Sequence, residues 1–239
     1  MIFITNTPNN TGVAIHGDYM DFDELYDALH EIVGNESEYT SYEAARMRVL
    51  GVCYDIRHAI MGDREIEFVD NGMDGEKMKR LSMITPDKNI YLKIYVLWPE
   101  MLFVTMALND FILLNHRKCK HPQWDKTTAV VRKLQAAFSE CIKQTVSDAS
   151  YKRMVNMMIH DYTWFDGYAT QYLDILNCRF LEMDKEKRLK SISTMAKRLV
   201  ERDDEYRKLR SEVMEAARKY NCPVDDIRLQ LEYPEDIEW

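Results

Sequence analysis

The chain has 239 residues, of which 46% are hydrophobic and 30% charged, with a formal net charge of -8. That apolar content excludes an intrinsically disordered chain, and the length suits one large core, so a single domain over residues 1–239 is expected. Five cysteines (Cys53, Cys119, Cys141, Cys178, Cys222) are widely separated, odd in number and never spaced Cys-x-x-Cys. This excludes a disulfide framework and fits free thiols in a reducing cytosol.

No basic stretch and long apolar run follow Met1, so no secretory leader is expected. The most apolar stretch, residues 90–114, is interrupted by Lys93, Pro99, Glu100, Asn109 and Asp110, which argues against a bilayer span. The expected location is cytoplasmic. Charge is segregated: residues 1–75 hold 4 Lys/Arg against 15 Asp/Glu, residues 76–222 hold 27 against 19, and residues 223–239 hold 1 against 6. An acidic beginning and end around a basic middle fits pairing within the fold, head-to-tail assembly, or two faces for different partners.

In chain order, Ile2–Ile4 and Gly12–His16 flank the turn-rich Asn6-Thr7-Pro8-Asn9-Asn10 and predict a β-hairpin. Asp18 or Asp21 caps a helix whose apolar residues run from Phe22 to Val33 with helical spacing, ending at Gly34. A second helix starts near Thr40 or Ser41, buries Ala45, Val49, Val52, Cys53, Ile56 and Ile60, and stops at Gly62. Glu65–Val69 alternates as a half-buried strand, Asn71-Gly72 supplies a turn, and Asn89–Leu97 reads as a further strand. After first-turn Pro99, residues Glu100–Asn115 are apolar on almost every side and predict the central helix of the core. Trp124–Val146 is amphipathic, and Tyr151 to about Leu181 is helical with a break near Thr163 or Gly167.

Lys185–Tyr220 places Leu189, Ile192, Ala196, Leu199, Tyr206, Leu209, Val213, Ala216 and Tyr220 on one stripe, with the spacing slipping across Asp203. Unbroken, this final helix is about 54 Å long. Pro223 ends it, and Ile227–Tyr233 alternates like a strand that returns to the sheet. The class is therefore mainly α (α+β): a multi-helix bundle with a long C-terminal helix and a small N-terminal β-hairpin or sheet. Residues 1–98 form its α/β part, 99–222 its helical part and 223–239 an acidic tail.

Four stretches stand out: GVAIHGDYMDFDELYDALHEIVG (12–34), GVCYDIRHAIMGDREIEFVDNGMD (51–74), LWPEMLFVTMALNDF (97–111) and DYTWFDGYATQYLD (161–174). In them the sequence resembles an uncharacterised family of bacterial proteins. The resemblance implies a bacterial origin and carries no activity, cofactor or catalytic residue.

Candidate chemistry is sparse. Gly12 and Gly17 have the spacing of a phosphate loop, but Asp18-Tyr19 follow where Lys-Ser/Thr is needed. Asp70–Gly75 faintly suggests a calcium loop, yet its third position is Gly72 and the closing position is Leu81, so a turn is expected. His116, Cys119 and His121 are the densest cluster of zinc donors, completed by distant Cys141 or His160; neighbouring Arg117, Lys118 and Lys120 oppose a metal and instead suit a helix C-terminus. No metal and no cofactor are expected.

Asp110 lies inside the most apolar helix and needs a donor or a cleft; Arg57 and His58 are the partners the sequence offers, and a raised-pKa acid is the functional alternative. Asp55 and His58 share a helix face and make a possible acid–base pair. His160, Asp161 and Asp166, among aromatic residues near a helix break, mark a possible pocket. These six residues are the catalytic candidates.

Three functional readings follow. The first is a non-enzymatic cytoplasmic interaction protein acting through self-association or another protein partner, by a homodimer through residues 185–220, a Met-rich surface (Met154, Met157, Met158) or the acidic N-terminal region. The second is an enzyme with an Asp/His cleft. The third is nucleic-acid binding by the basic middle, in which Lys185, Lys187, Arg188, Lys190, Lys197 and Arg198 are followed by Glu201, Asp203, Asp204 and Glu205 as on an ordinary solvated helix.

Overall fold

The turn chemistry of the first residues produces the expected hairpin. β1 (Phe3–Asn6) and β2 (Gly12–Gly17) pair antiparallel with Ile4 opposite Ile15, and the Thr7 hydroxyl closes the turn on the Gly12 carbonyl at 3.1 Å. The structure, a computed structural model, describes residues 1–159 and 164–239. α1 (Tyr19–Val33) starts from a reciprocal cap: the Asp21 amide donates to Asp18 at 2.8 Å and the Asp18 amide donates to Asp21 at 3.3 Å. α2 (Glu43–Ile60) follows a single 3₁₀ turn and buries the six apolar positions predicted for it except Ile60, which is partly buried, with Ala59 joining them.

β3 (Glu65–Asp70), the short α3 (Gly75–Leu81) and β4 (Lys88–Leu97) come next, and β4 inserts between β2 and β3 to give an all-antiparallel sheet of order β1-β2-β4-β3. Strand alternation puts Ile4, Val13, Ile15, Leu92, Ile94 and Val96 on one face, all buried. Against that face lie α1, α2 and α4 (Trp98–His116), whose apolar surface is buried nearly all round, so it forms the spine of the core as its composition predicts. Pro99 sits in the first turn of α4, where its missing N–H is harmless.

α5 (Lys126–Thr145) packs on α1 and β1, and the segregated charges meet there: Lys126 pairs with Glu24 at 2.9 Å and Lys133 with Asp21 at 3.1 Å. Lys118, beyond α4, pairs with Glu38. The basic middle is thus partly compensated by the acidic first region within the fold. α6 (Asp148–Met158) and α7 (Gln171–Leu181) are separate helices, and Gly167 between them has a positive φ of 55°. Met154 and Met158 of α6 are buried, so the expected Met-rich surface is instead a contribution to the core.

The C-terminal helix is not continuous. α8 (Lys185–Glu201) and α9 (Asp204–Tyr220) are separated at Arg202, whose φ of 49° is left-handed, and Asp203 caps α9 by accepting from the Tyr206 amide at 3.1 Å. The Tyr172 hydroxyl also donates to Asp203, at 3.2 Å. An aspartate on a buried stripe is better used as a cap than carried inside a helix. Six residues of the stripe, Ile192, Ala196, Leu199, Tyr206, Leu209 and Val213, are buried within the chain, with α8 against α4, α6 and α7, whereas Leu189 and Tyr220 at its ends are exposed and Ala216 is half-buried. The continuous helix of about 54 Å expected from the sequence is therefore replaced by two helices, and most of their apolar stripe closes the chain's own core.

The tail also departs from expectation. Residues 227–239 form no strand, and Gln171 instead pins them by donating to the carbonyls of Val224 and Ile227, both at 2.9 Å. The end nevertheless reaches the sheet: Trp239 stacks on Tyr95 with ring centroids 5.0 Å apart, lies against Gly12 where any Cβ would collide, and the Thr11 hydroxyl donates to the Glu238 carbonyl at 2.5 Å.

Candidate functional site

Asp110 is 2% exposed and solves its burial differently from either partner the sequence offered: the Phe165 amide, from the loop before α7, donates to its carboxylate at 2.6 Å. Burial pushes its pKa up to about 7, Asp166 adds to the rise, and the Phe165 amide and the Arg202 guanidinium oppose it. Asp166 itself is exposed. Neither Arg57 nor His58 touches Asp110. His58 pairs with Asp63 at 3.2 Å and packs at a tilt against the Tyr54 ring, whereas Asp55 pairs with Arg64 at 2.8 Å. Asp55 and His58 thus each serve a separate contact at the end of α2, and the predicted acid–base pair does not form. His160 and Asp161 lie outside the described residues.

His116 occupies the last turn of α4, its Nε2 3.3 Å from the Thr128 hydroxyl, while Cys119 and His121 follow the helix. Among the described residues, no three His, Cys, Asp or Glu side chains converge as a metal site would require. The calcium-like run Asp70–Gly75 is a turn and a cap: Asp70 accepts from the Gly72 amide at 2.6 Å and Asp74 from the Lys77 amide at 2.8 Å.

The region that stands out is the one around the strand expected at Glu65–Val69, which the sequence marks as half-buried and not as a site. From Met61 to Tyr91 no residue is buried. This stretch is an arm formed by β3, α3 and the first half of β4. In the ladder, Ile66 is opposite Leu92 and Phe68 opposite Ile90, so all four share the face that carries the core. Leu92 is covered by the helices, but Ile66, Ile90 and Phe68, the last 65% exposed, continue the same apolar face beyond that cover. Leu81, Met83 and the fully exposed Ile84 lie on the segment between the strands.

The arm's other face is polar and partnered. Glu65 pairs with Lys93 at 2.6 Å and accepts from the Tyr95 hydroxyl at 2.9 Å, and Glu67 lies 3.0 Å from Nδ1 of His16, whose ring stacks on Phe3. Burial lowers the His16 pKa; Glu67 opposes this and Lys93 adds to it. The Glu65–Lys93 contact holds the glutamate below its usual range. The connecting segment is tied down as well: Asn71 donates to the Pro86 carbonyl at 3.0 Å from its side chain and to the Asp87 carbonyl at 3.1 Å from its backbone. The arm therefore presents one polar face of paired charges and one bare apolar face.

Fold and site together define a mainly helical α+β protein with a four-stranded antiparallel sheet, one end of which projects uncovered. Over residues 2–239 the chain matches the family described as Domain of unknown function (DUF6904), and it belongs to that family. No curated protein and no solved structure matches it. No helix among the described residues is long and apolar enough to cross a membrane.

Proposed function

We propose that this is a non-enzymatic cytoplasmic interaction protein that self-associates through the apolar face of its β3–β4 arm. The observation that carries this reading is the exposure of Ile66, Phe68 and Ile90 on a face that elsewhere forms the core. Burying a side chain of this kind is worth about 1.5–3 kcal/mol, so covering three of them on each of two copies is a substantial drive to associate. The contact runs through the face and not the edge. An antiparallel β3–β3 pairing centred on Ile66 would set Glu65 against Glu67 of the second copy, and one centred on Glu67 would set that glutamate against its own counterpart; like charges across an edge resist pairing. The free state of all five cysteines supports a reducing compartment.

Sedimentation velocity over a range of concentrations tests this. The wild-type chain is expected to populate a dimer, and a Phe68→Glu/Ile90→Glu variant to remain monomeric with the melting temperature that wild type shows at dilutions where it is a monomer. A wild-type chain that stays monomeric at every concentration, or a dimer that persists in the variant, overturns the reading; in the first case a different protein becomes the candidate occupant of the arm.

A further inference from the structure

A pocket of about 210 Å³ lies between α4, α5 and α6, and no residue of the arm lines it. Phe138 and Ile142 of α5 and Met158 of α6 are its buried wall, while Ile159, just past α6, is 62% exposed. An apolar cavity of about 150 Å³ is enough to hold a benzene ring, so this one has room for a single ring or a short chain.

Arg132, exposed on α5, is the one charged residue in the lining. Two neutral amides hold its guanidinium: Nη1 donates to Asn109 Oδ1 at 2.6 Å and to Gln135 Oε1 at 2.8 Å. Those amides are oriented in turn, because Gln135 Nε2 donates to the Thr105 carbonyl at 2.8 Å and Asn109 Nδ2 to the Met158 carbonyl at 2.9 Å. The network ties the three helices together at the pocket. It leaves Nε and Nη2, an edge of the guanidinium that can take a carboxylate through two parallel hydrogen bonds, without an acceptor among the described residues. Burial lowers the Arg132 pKa and no carboxylate raises it again, whereas at Arg48 burial is outweighed by Glu100 and Asp174. In a chain of net charge -8, this pocket holds a cation and no acid.

The two halves of the lining ask for different things of one occupant. A neutral apolar molecule would leave the guanidinium edge bare, and an inorganic anion would leave the apolar wall uncovered. We propose that this pocket binds a small apolar monocarboxylate, its carboxylate accepting from Nε and Nη2 of Arg132 and its ring or chain lying on Phe138, Ile142 and Met158. The site does not depend on how the arm is used.

Methyl NMR of the full chain, labelled at its methionine methyls and titrated with phenylacetate and with hexanoate, tests the proposal; Met158→Leu assigns the Met158 signal. A saturable shift of that signal is expected with at least one acid, and which of the two binds tells a ring from a chain. Arg132→Gln, which removes the charge and the fork, should weaken binding about tenfold or more, as the loss of a charge-assisted pair implies. Phenethylamine, with a similar ring and the opposite charge, should not bind. Ala136→Trp, which puts bulk into the pocket from an exposed position and leaves Arg132 alone, should abolish binding. The melting temperature of each variant confirms that it is folded, and Ala136→Trp decides the matter should Arg132→Gln fail to fold. No saturable shift of the Met158 signal with either acid at millimolar concentration, equal binding by either folded variant, or equal binding of phenethylamine overturns the proposal.

Discussion

One strand, β4, runs through two environments. At one end Leu92, Ile94 and Val96 are sealed under helices; at the other Ile90, in the same alternation and on the same face, stands in solvent beside Phe68 and Ile66. The contrast teaches that alternation fixes which face a side chain takes, whereas cover depends on where helices far away in sequence come to rest. The covered end depends on its own packing. The bare end is ordered by its ladder and turns, and is free to serve something else.

The largest expected effect separates the two ends directly. Phe103→Ala, in the middle of α4 and fully buried, should cost about 3–5 kcal/mol in urea denaturation, whereas Phe68→Ala should fall within about 0.5 kcal/mol of wild type in dilute solution. Equal losses at the two positions would mean that the arm is part of the core after all.

Asp110 probes the covered end by pH. Its folded-state pKa of about 7 lies above the unfolded value of 3.8, so the folded chain holds the proton more tightly. The stability this provides is complete below pH 3.8 and is lost as pH rises through about 7, at up to about 1.4 kcal/mol per pH unit between the two values. Asp110→Asn keeps an oxygen for the Phe165 amide and removes the titration. Compared at pH 5 and pH 8, the variant should lose less stability over that interval than wild type; parallel curves would show that the carboxyl titrates normally.

A smaller effect is expected where the C-terminal stripe bends. Asp203→Ala removes the cap of α9 and an acceptor for Tyr172, and should cost about 1 kcal/mol. Its oligomeric state should be unchanged, because α8 and α9 serve the monomer. The smallest effect falls on the arm. Replacing residues 71–87 by Asn-Gly joins Asp70 to Lys88, which already face each other in the ladder, through a two-residue hairpin turn. The melting temperature should move by only a few degrees, about what 1 kcal/mol produces in a chain of this size, while self-association weakens with the loss of Leu81, Met83 and Ile84.

Much of the architecture was legible because it rests on local signals: turn residues for the first hairpin, Asp18 for the start of α1, and unbroken hydrophobicity for α4. α3 was missed because Gly75–Leu81 is short and mostly polar, with no apolar stripe to reveal it. The break at Arg202 was visible only as a slip in spacing, and a slip does not say whether a helix bends or stops. The partner of Asp110 is a backbone amide, which carries no residue type for a sequence to display. Glu100 was readable by the argument applied to Asp110, since it too lies in the apolar α4; it rests between Arg48 and Asn177, and burial raises its pKa against both. The gap in cover over the arm is a relation between distant segments that no window of sequence contains.

The stacking of Trp239 on Tyr95 and the bond from Thr11 to Glu238 have a kinetic consequence. Those last two residues are 227 positions apart, a loop whose closing entropy must be met before the contact returns anything. The hairpins and helix pairs are closed by far shorter loops, so the tail is expected to dock after the transition state for folding. It then acts as a latch on the rate of escape: loosening it should leave the refolding rate nearly untouched and hasten unfolding.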